Sequence, residues 1–383
     1  MSRRRMVSLL GLAPLVAGAA ITGGPAQAGV PVAADRGWAP PRDLLPGGAF
    51  DQLIAQLVAR DQFSGTVLLS HQGTTVLARS YGMADQRRGV PNGPGTIYSL
   101  ASDGKPFTGV AVTQLAQQGK IEFGATIGTY LDGFPSAIAN TVTVHQLLTH
   151  TSGMGDYLGT AAWQAQAPNF TSAAQEFDAG LDIVRAASLL FTPGSSYSYS
   201  NSGYFALGAV VARVSGLSYY DYVRRYVFGR AAMTSAGFYA KPLRESDPRF
   251  AHPYAGQPNG QRVDVSANEA FVGTPSGDAC ASAPDMVAFG HALACAQLLN
   301  PAYTGLLTGA KVPSPTGPFQ AYGILNAIVN NRVVLLHGGG SPGETTNISI
   351  YPDLGWVAVI LCNYDVDLRP VLRLQDQLIT QPM

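Results

Sequence analysis

Ser102-Asp103-Gly104-Lys105 places a hydroxyl and an amine three residues apart, where an apolar run from Thr96 to Leu100 gives way to a helical pattern from Lys105 to Gln118 that stops at Gly119. Residues three apart on a helix share a face, so the Lys105 amine is expected beside the Ser102 hydroxyl. A serine hydroxyl is a poor nucleophile until a base takes its proton, and a desolvated lysine can play that part. The helix start also favours negative charge developing near Ser102, and Asp103 suits the same dipole. Gly104 costs the helix about 1 kcal/mol of propensity. Alone, S-x-x-K also describes a serine-capped helix with an exposed lysine, so the pair needs partners.

Two further segments offer them. Tyr199-Ser200-Asn201 precedes a helical run from Gly203 to Val214. A tyrosine in such a loop can relay a proton, and the Asn201 amide can orient both a lysine and a substrate carbonyl. His337-Gly338-Gly339-Gly340 follows a β-type run over Asn331 to Leu336, so His337 is expected to end a strand. The glycines after it let a ligand approach the backbone, and their N–H groups can stabilise an oxyanion. Gly339-Gly340-Ser341-Pro342-Gly343 also matches the G-x-S-x-G nucleophile elbow. That elbow needs the N–H of the residue after the serine, which Pro342 lacks, and a histidine after the acid, whereas none follows His337. Ser341 is therefore set aside.

Positioning these residues requires strands at both ends of the chain. Helical spacing of Phe50, Leu53, Ile54, Leu57 and Val58 marks a first helix. Runs at 65–70 and 75–80 around His71-Gln72-Gly73 read as a hairpin. A long section of helices and Gly- and Pro-marked loops follows, and β-type runs return only at 319–329, 331–336, 347–351 and 356–362 before a closing helix over 366–378. The fold class is α+β: an antiparallel sheet built from N- and C-terminal segments with flanking helices, plus a mostly helical insertion. The divisions are 1–28, a signal peptide; 29–46, an extended lead-in; and 47–383, the catalytic unit, with its α/β part at 47–122 and 300–383 and its helical part at 123–299.

Arg3, Arg4 and Arg5, an apolar run to about Ile21 and Ala26-Gln27-Ala28 form a charged region, a hydrophobic region and an A-x-A site, the pattern of an exported protein. The run is short for a span of about 20 residues and is interrupted by Gly11, Pro14 and Gly18, so no stable membrane span is expected. The chain has 383 residues, 46% hydrophobic and 13% charged, with 24 basic and 24 acidic side chains, which is globular and without the positive excess a nucleic-acid partner attracts. Cys280, Cys295 and Cys362 are an odd set. A helix between the first two, about ten residues at about 1.5 Å each, holds them about 15 Å apart, beyond the about 7 Å a disulfide spans. Three free, buried thiols are expected. No metal spacing occurs, His145 and His150 being five apart, and no cofactor is expected.

In order, S-x-x-K, Y-x-N and H-x-G resemble the serine β-lactamase and DD-peptidase superfamily, in particular its branch of class C β-lactamases, D-stereospecific peptidases and secreted carboxylesterases. The flanking segments IYSLASDGKPFT, VTVHQLLTHTSGMGDY, FTPGSSYSYSNSGYFALG and HGGGSPG carry the same resemblance. It covers roughly Phe50 to Asp365. It implies that Ser102 is acylated and that Lys105 and Tyr199 share its proton and pass one to the leaving group. Asn201 would hold the Lys105 amine and the substrate amide, His337 would replace the lysine of a K-T-G triplet, and Ser102 and Gly340 would supply the oxyanion N–H groups beside Gly339. Gly338 stands where a hydroxyl residue commonly meets a substrate carboxylate, and Ser276 to Ser282 replaces the usual loop, so a different pocket wall is expected. The implied activity is hydrolysis of an ester or a D-amino-acid-type amide, on a small-molecule or peptide-like substrate. The alternatives are acyl transfer to an amine or alcohol, and a penicillin-binding module without turnover.

Overall fold

A computed structural model of the chain describes residues 39–381. The signal-peptide pattern over 1–28 and the first part of the 29–46 lead-in lie outside the described residues. The hairpin is formed by β1 (Gly65–His71) and β2 (Thr74–Tyr81). The other strands of its sheet come from the far end of the chain: β3 (Val312–Pro313), β4 (Phe319–Gln320), β5 (Leu325–Val329), β6 (Arg332–Ser341), β7 (Glu344–Tyr351) and β8 (Trp356–Cys362). Their order is β2-β1-β8-β7-β6-β5-β4-β3, and neighbours run antiparallel. β1 joins the two ends by pairing with β8 from Gly65↔Cys362 to His71↔Trp356.

The helices that frame the site are α1 (Ala49–Ala59), α2 (Lys105–Gln117), α3 (Val144–Leu148), α4 (Ala173–Arg185), α5 (Asn201–Ser215), α6 (Ala283–Ala294) and α7 (Arg369–Thr380). β1 and β8 are buried along their whole length, which explains their uninterrupted apolar runs, because both sheet faces are covered. On one face α6 comes so close that a Cβ at Gly290 would sit 2.6 Å from Val357. α6 falls within the helical section by sequence position, yet it packs on β1, β7 and β8. α1 and α7 pack together and are tied to the sheet through the Arg79–Asp51 ion pair and the Tyr351–Asp376 hydrogen bond. α2 is buried from Lys105 to Ala116, and Phe107 meets Phe228 and Phe289 edge to face at 4.9 Å. The polar side chains buried with it are paired, Thr108 with Tyr219 and Pro275 O and the Gln114 Nε2 with Tyr226 O and Leu298 O, so the helix is held on every side.

Two expectations are corrected here. His337 does not end a strand: β6 continues through all three glycines to Ser341 and turns at Pro342-Gly343 into β7. Glycine is a poor strand former alone, but the ladder with Thr345 to Ile350 holds it extended. Cys280 and Cys362 are buried free thiols, whereas Cys295 is exposed because α6 ends at Ala294 and Cys295 begins the surface turn after it.

Candidate active site

Ser102 lies in a 3-10 turn, Ala101–Gly104, that leads directly into α2. The turn is held from three directions: Leu100 N–H donates to Ala279 O at 2.9 Å, Asp278 N–H donates to Ala101 O at 2.9 Å, and the Thr346 hydroxyl donates to Leu100 O at 2.8 Å. These bonds keep Ala101 at φ 45°, a left-handed conformation that costs a non-glycine residue on the order of 1 kcal/mol and that sets the Ser102 backbone at the mouth of the helix. β6 presses against the same turn. A Cβ on Gly339 would stand 2.1 Å from Leu100 O and 2.4 Å from Thr346 Oγ1, so only glycine permits this approach.

Lys105 is fully buried, with Nζ 3.1 Å from Ser102 Oγ. It also donates to Asn201 Oδ1 at 2.7 Å and to the carbonyl of Ser276. The Asn201 amide orientation is fixed independently, because its Nδ2 donates to Asp156 Oδ2 at 2.7 Å. Burial lowers the Lys105 amine to about 7, against the opposing pull of the Asp278 and Asp156 carboxylates. Tyr199 precedes Ser200, whose hydroxyl caps α5 by accepting from Gly203 N–H. The Lys105 Nζ sits 4.7 Å from the Tyr199 ring centre, and burial of the phenol holds it above its usual range while a hydrogen bond with Ser102 pulls the other way. The residue as a whole remains 41% exposed.

His337 is buried in β6, and burial together with the Lys105 charge pushes it down to about 3, so the ring is neutral. Its Nδ1 lies 2.9 Å from Gly338 O, a carbonyl that only accepts, so Nδ1 carries the proton and Nε2 is a bare acceptor. Gly338 and Gly340 are exposed along β6, while Gly339 faces inward. The rejected Ser341 donates to Glu344 at 2.7 Å, beyond the last glycine. Ser102, Lys105, Tyr199 and Asn201 are thus brought together through direct contacts, and His337 feels the Lys105 charge, with Gly339 and Gly340 further along its own strand. Among the described residues, no group of three or more His, Cys, Asp or Glu side chains is placed to hold a metal.

Asp103 is corrected as well. Its carboxyl is completely buried and neither oxygen has a partner, so burial drives its pKa well above the normal range and it offers no charge to the helix dipole. Sequence reasoning missed Asp156, which orients Asn201, and Asp278, whose carboxylate acts on Lys105. Asp156 has one legible sign, its position as the cap of a turn at Tyr157–Gly159. Asp278, at φ 62°, gives none. A cavity of about 240 Å³ opens beside this loop, between Tyr157, Trp163, Arg244, Asp278, Pro342 and Glu344.

The chain is 32% identical over 224 residues to Esterase EstB of Burkholderia gladioli, covering 56% of this chain and 55% of that one. The curated relatives are spanned over between 37% and 71% of their own length. The crystal structure of a penicillin binding protein from Bacillus halodurans superposes with a TM-score of 0.76 at 28% identity, covering 84% of this chain and 98% of that one. A D-amino acid amidase from Ochrobactrum anthropi SV3 has the same fold, with a TM-score of 0.71 at 21% identity, covering 86% and 96%. The family described as Beta-lactamase matches residues 50–380, from the first turn of α1 to the last residue of α7, and the chain belongs to that family.

Proposed function

We propose that the protein is an exported serine hydrolase that forms an acyl-enzyme at Ser102 and releases it to water, acting on an ester or a D-amino-acid-type amide. The observation that carries this reading is the arrangement around Lys105 Nζ. Asn201 Oδ1 and Ser276 O can only accept, so they take both N–H bonds of a neutral amine, and the remaining lone pair faces the Ser102 hydroxyl. An amine titrating at about 7 is neutral in a useful fraction at neutral pH, which is what a general base requires.

The steps follow from these positions. Ser102 Oγ bonds to the acyl carbon while its proton passes to Lys105 Nζ. The oxyanion meets the N–H of Ser102, at the open start of a helical turn, and that of Gly340. The strand register supports the second donor. Ser341↔Glu344 closes a two-residue hairpin and is the hydrogen-bonded pair, so Gly340↔Thr345 is not. The Gly340 amide therefore turns from β7 toward the side where β5 has already ended at Leu325↔Leu336. Tyr199, protonated at rest, hands its proton to the leaving group as the acyl–heteroatom bond breaks and is replenished from Lys105. Water then attacks the ester, giving its proton back through the same pair, and the acid leaves with Ser102 restored.

A neutral His337 beside Gly338 supplies neither a cation nor a hydroxyl for a substrate carboxylate, which favours esters and uncharged amides over penicillins. Esterase EstB, by its name, supports the ester part of this reading. The test is intact-mass spectrometry after exposure to a fluorophosphonate and to a penicillin. One fluorophosphonate adduct that disappears in Ser102→Ala, together with ester turnover, is expected. Absence of an adduct with activity retained in Ser102→Ala ends the assignment, and a lasting penicillin adduct without turnover points to a binding module. Product analysis with added amine separates hydrolysis from transfer.

A further inference from the structure

The segment VTVHQLLTHTSG contributes a residue that none of these steps uses. His150 follows α3 at φ 59° and is 1% exposed. Its backbone carbonyl accepts the Ser198 N–H at 2.9 Å, and its ring Nδ1 accepts the Ser200 N–H at 3.1 Å. The two bonds grip the chain immediately before and immediately after Tyr199. Between them, the His150 ring lies against the Tyr199 ring with centres 4.4 Å apart and planes 30° apart, and it also meets the buried Tyr204 ring at 5.0 Å and the Tyr197 ring edge to face at 5.9 Å.

We propose that His150 is a positioning residue that sets the backbone and ring plane of Tyr199 over Lys105, and so the place from which the phenol delivers its proton. This rests on the role given to Tyr199 above. An ordinary packing residue does not account for the site. With Nδ1 committed as an acceptor, the proton sits on Nε2, and that N–H is buried with no hydrogen-bond partner. A phenylalanine would fill the space without that cost, but it would leave the Ser200 N–H unpaired. His150 is also no second base: its one lone pair is occupied by a backbone amide, and burial keeps the ring neutral well below the usual range.

The experiment compares ester hydrolysis by His150→Ala, His150→Phe and His150→Asn, each in the Tyr199 protein and in Tyr199→Phe, with circular dichroism melts on every variant. Asparagine tolerates positive φ and carries an acceptor near the Nδ1 position. Phenylalanine keeps the stacking ring alone. With Tyr199 present, His150→Ala is expected to lower kcat by about a hundredfold with KM little changed, the penalty of a misplaced catalytic group. His150→Asn is expected to recover part of that loss. In the Tyr199→Phe background the same changes should leave kcat nearly where Tyr199→Phe put it, because a residue acting through Tyr199 has nothing left to position. Equal losses in both backgrounds, or folded His150 variants at wild-type kcat, overturn the proposal. Wild-type turnover by Tyr199→Phe alone overturns the reading of Tyr199 instead. If His150→Ala does not fold, the Asn and Phe variants carry the comparison.

Discussion

Lys105 can accept the Ser102 proton only while it is uncharged, and burial decides that. Because burial lowers the amine to about 7, kcat/KM for an ester should rise with pH through about 7 and level off above it, read from a pH profile of the wild-type enzyme. The Asp278 carboxylate is the larger of the two influences that raise the amine, so Asp278→Asn should move that limb to lower pH. A shift upward, or none, would show that the profile belongs to another group. Asp103 shows the opposite case of a buried acid. Its carboxyl is held protonated in the folded chain and ionises in the unfolded one, so folding takes up a proton and stability falls as pH rises above about 4. Asp103→Ala removes two unpaired buried oxygens and should stabilise by about 1 kcal/mol or more at pH 8, with the gain shrinking toward pH 4, as followed by urea titration. A pH-independent or negative effect would contradict the buried, neutral carboxyl.

At the level of elements, two glycines in or beside the site differ in what surrounds them. A Cβ on Gly104 would meet Gly277 and Ala279 at 3.5 and 3.6 Å, ordinary contact, so Gly104→Ala should fold and gain roughly 0.5–1 kcal/mol in a thermal or denaturant melt. Gly339→Ala would drive a methyl group into the Leu100 carbonyl and should push β6 off the Ala101–Gly104 turn, with a loss of labelling rate at Ser102 of about a hundredfold or more with a fluorophosphonate. Nothing in the repeated glycines of 338–340 distinguishes the middle one. Alternation along the strand does, by turning Gly339 inward and its neighbours to solvent. The direction of the Gly340 amide is a separate matter, fixed by the hydrogen-bond register with β7, which points it within the sheet toward the side where β5 has ended.

The whole molecule depends on a pairing between its two ends. β1 lies between β2 and β8, and β8 lies between β1 and β7, so the hairpin from the start of the chain joins the sheet only when the last strand is present. A chain ending at Tyr351 should therefore lose its native circular dichroism signal and its labelling at Ser102 together, even though every proposed site residue remains in it. Retained labelling would mean that the site is supported without β8. The closed core also sorts the thiols: a disulfide-exchange reagent should modify Cys295 rapidly in the native protein, with Cys280 and Cys362 reacting only on unfolding.

What the sequence determined by itself is local in its physics. The three-residue spacing of Ser102 and Lys105, the strand-forming runs at each end of the chain and the missing N–H of Pro342 follow from helix geometry, side-chain alternation and proline chemistry, and each is legible within about a dozen residues. The tertiary structure decided everything that depends on what lies across the fold. Lys105 has its proton affinity set by burial and by Asp156 and Asp278, and Asn201 has its amide orientation set by Asp156. The glycines after His337 stay extended because β7 pairs with them, and His150 reaches both sides of Tyr199 only once α3 and the loop before α5 are brought together. Desolvation and long-range pairing have no signature in residue spacing, because both are properties of neighbours that the chain acquires only when it folds.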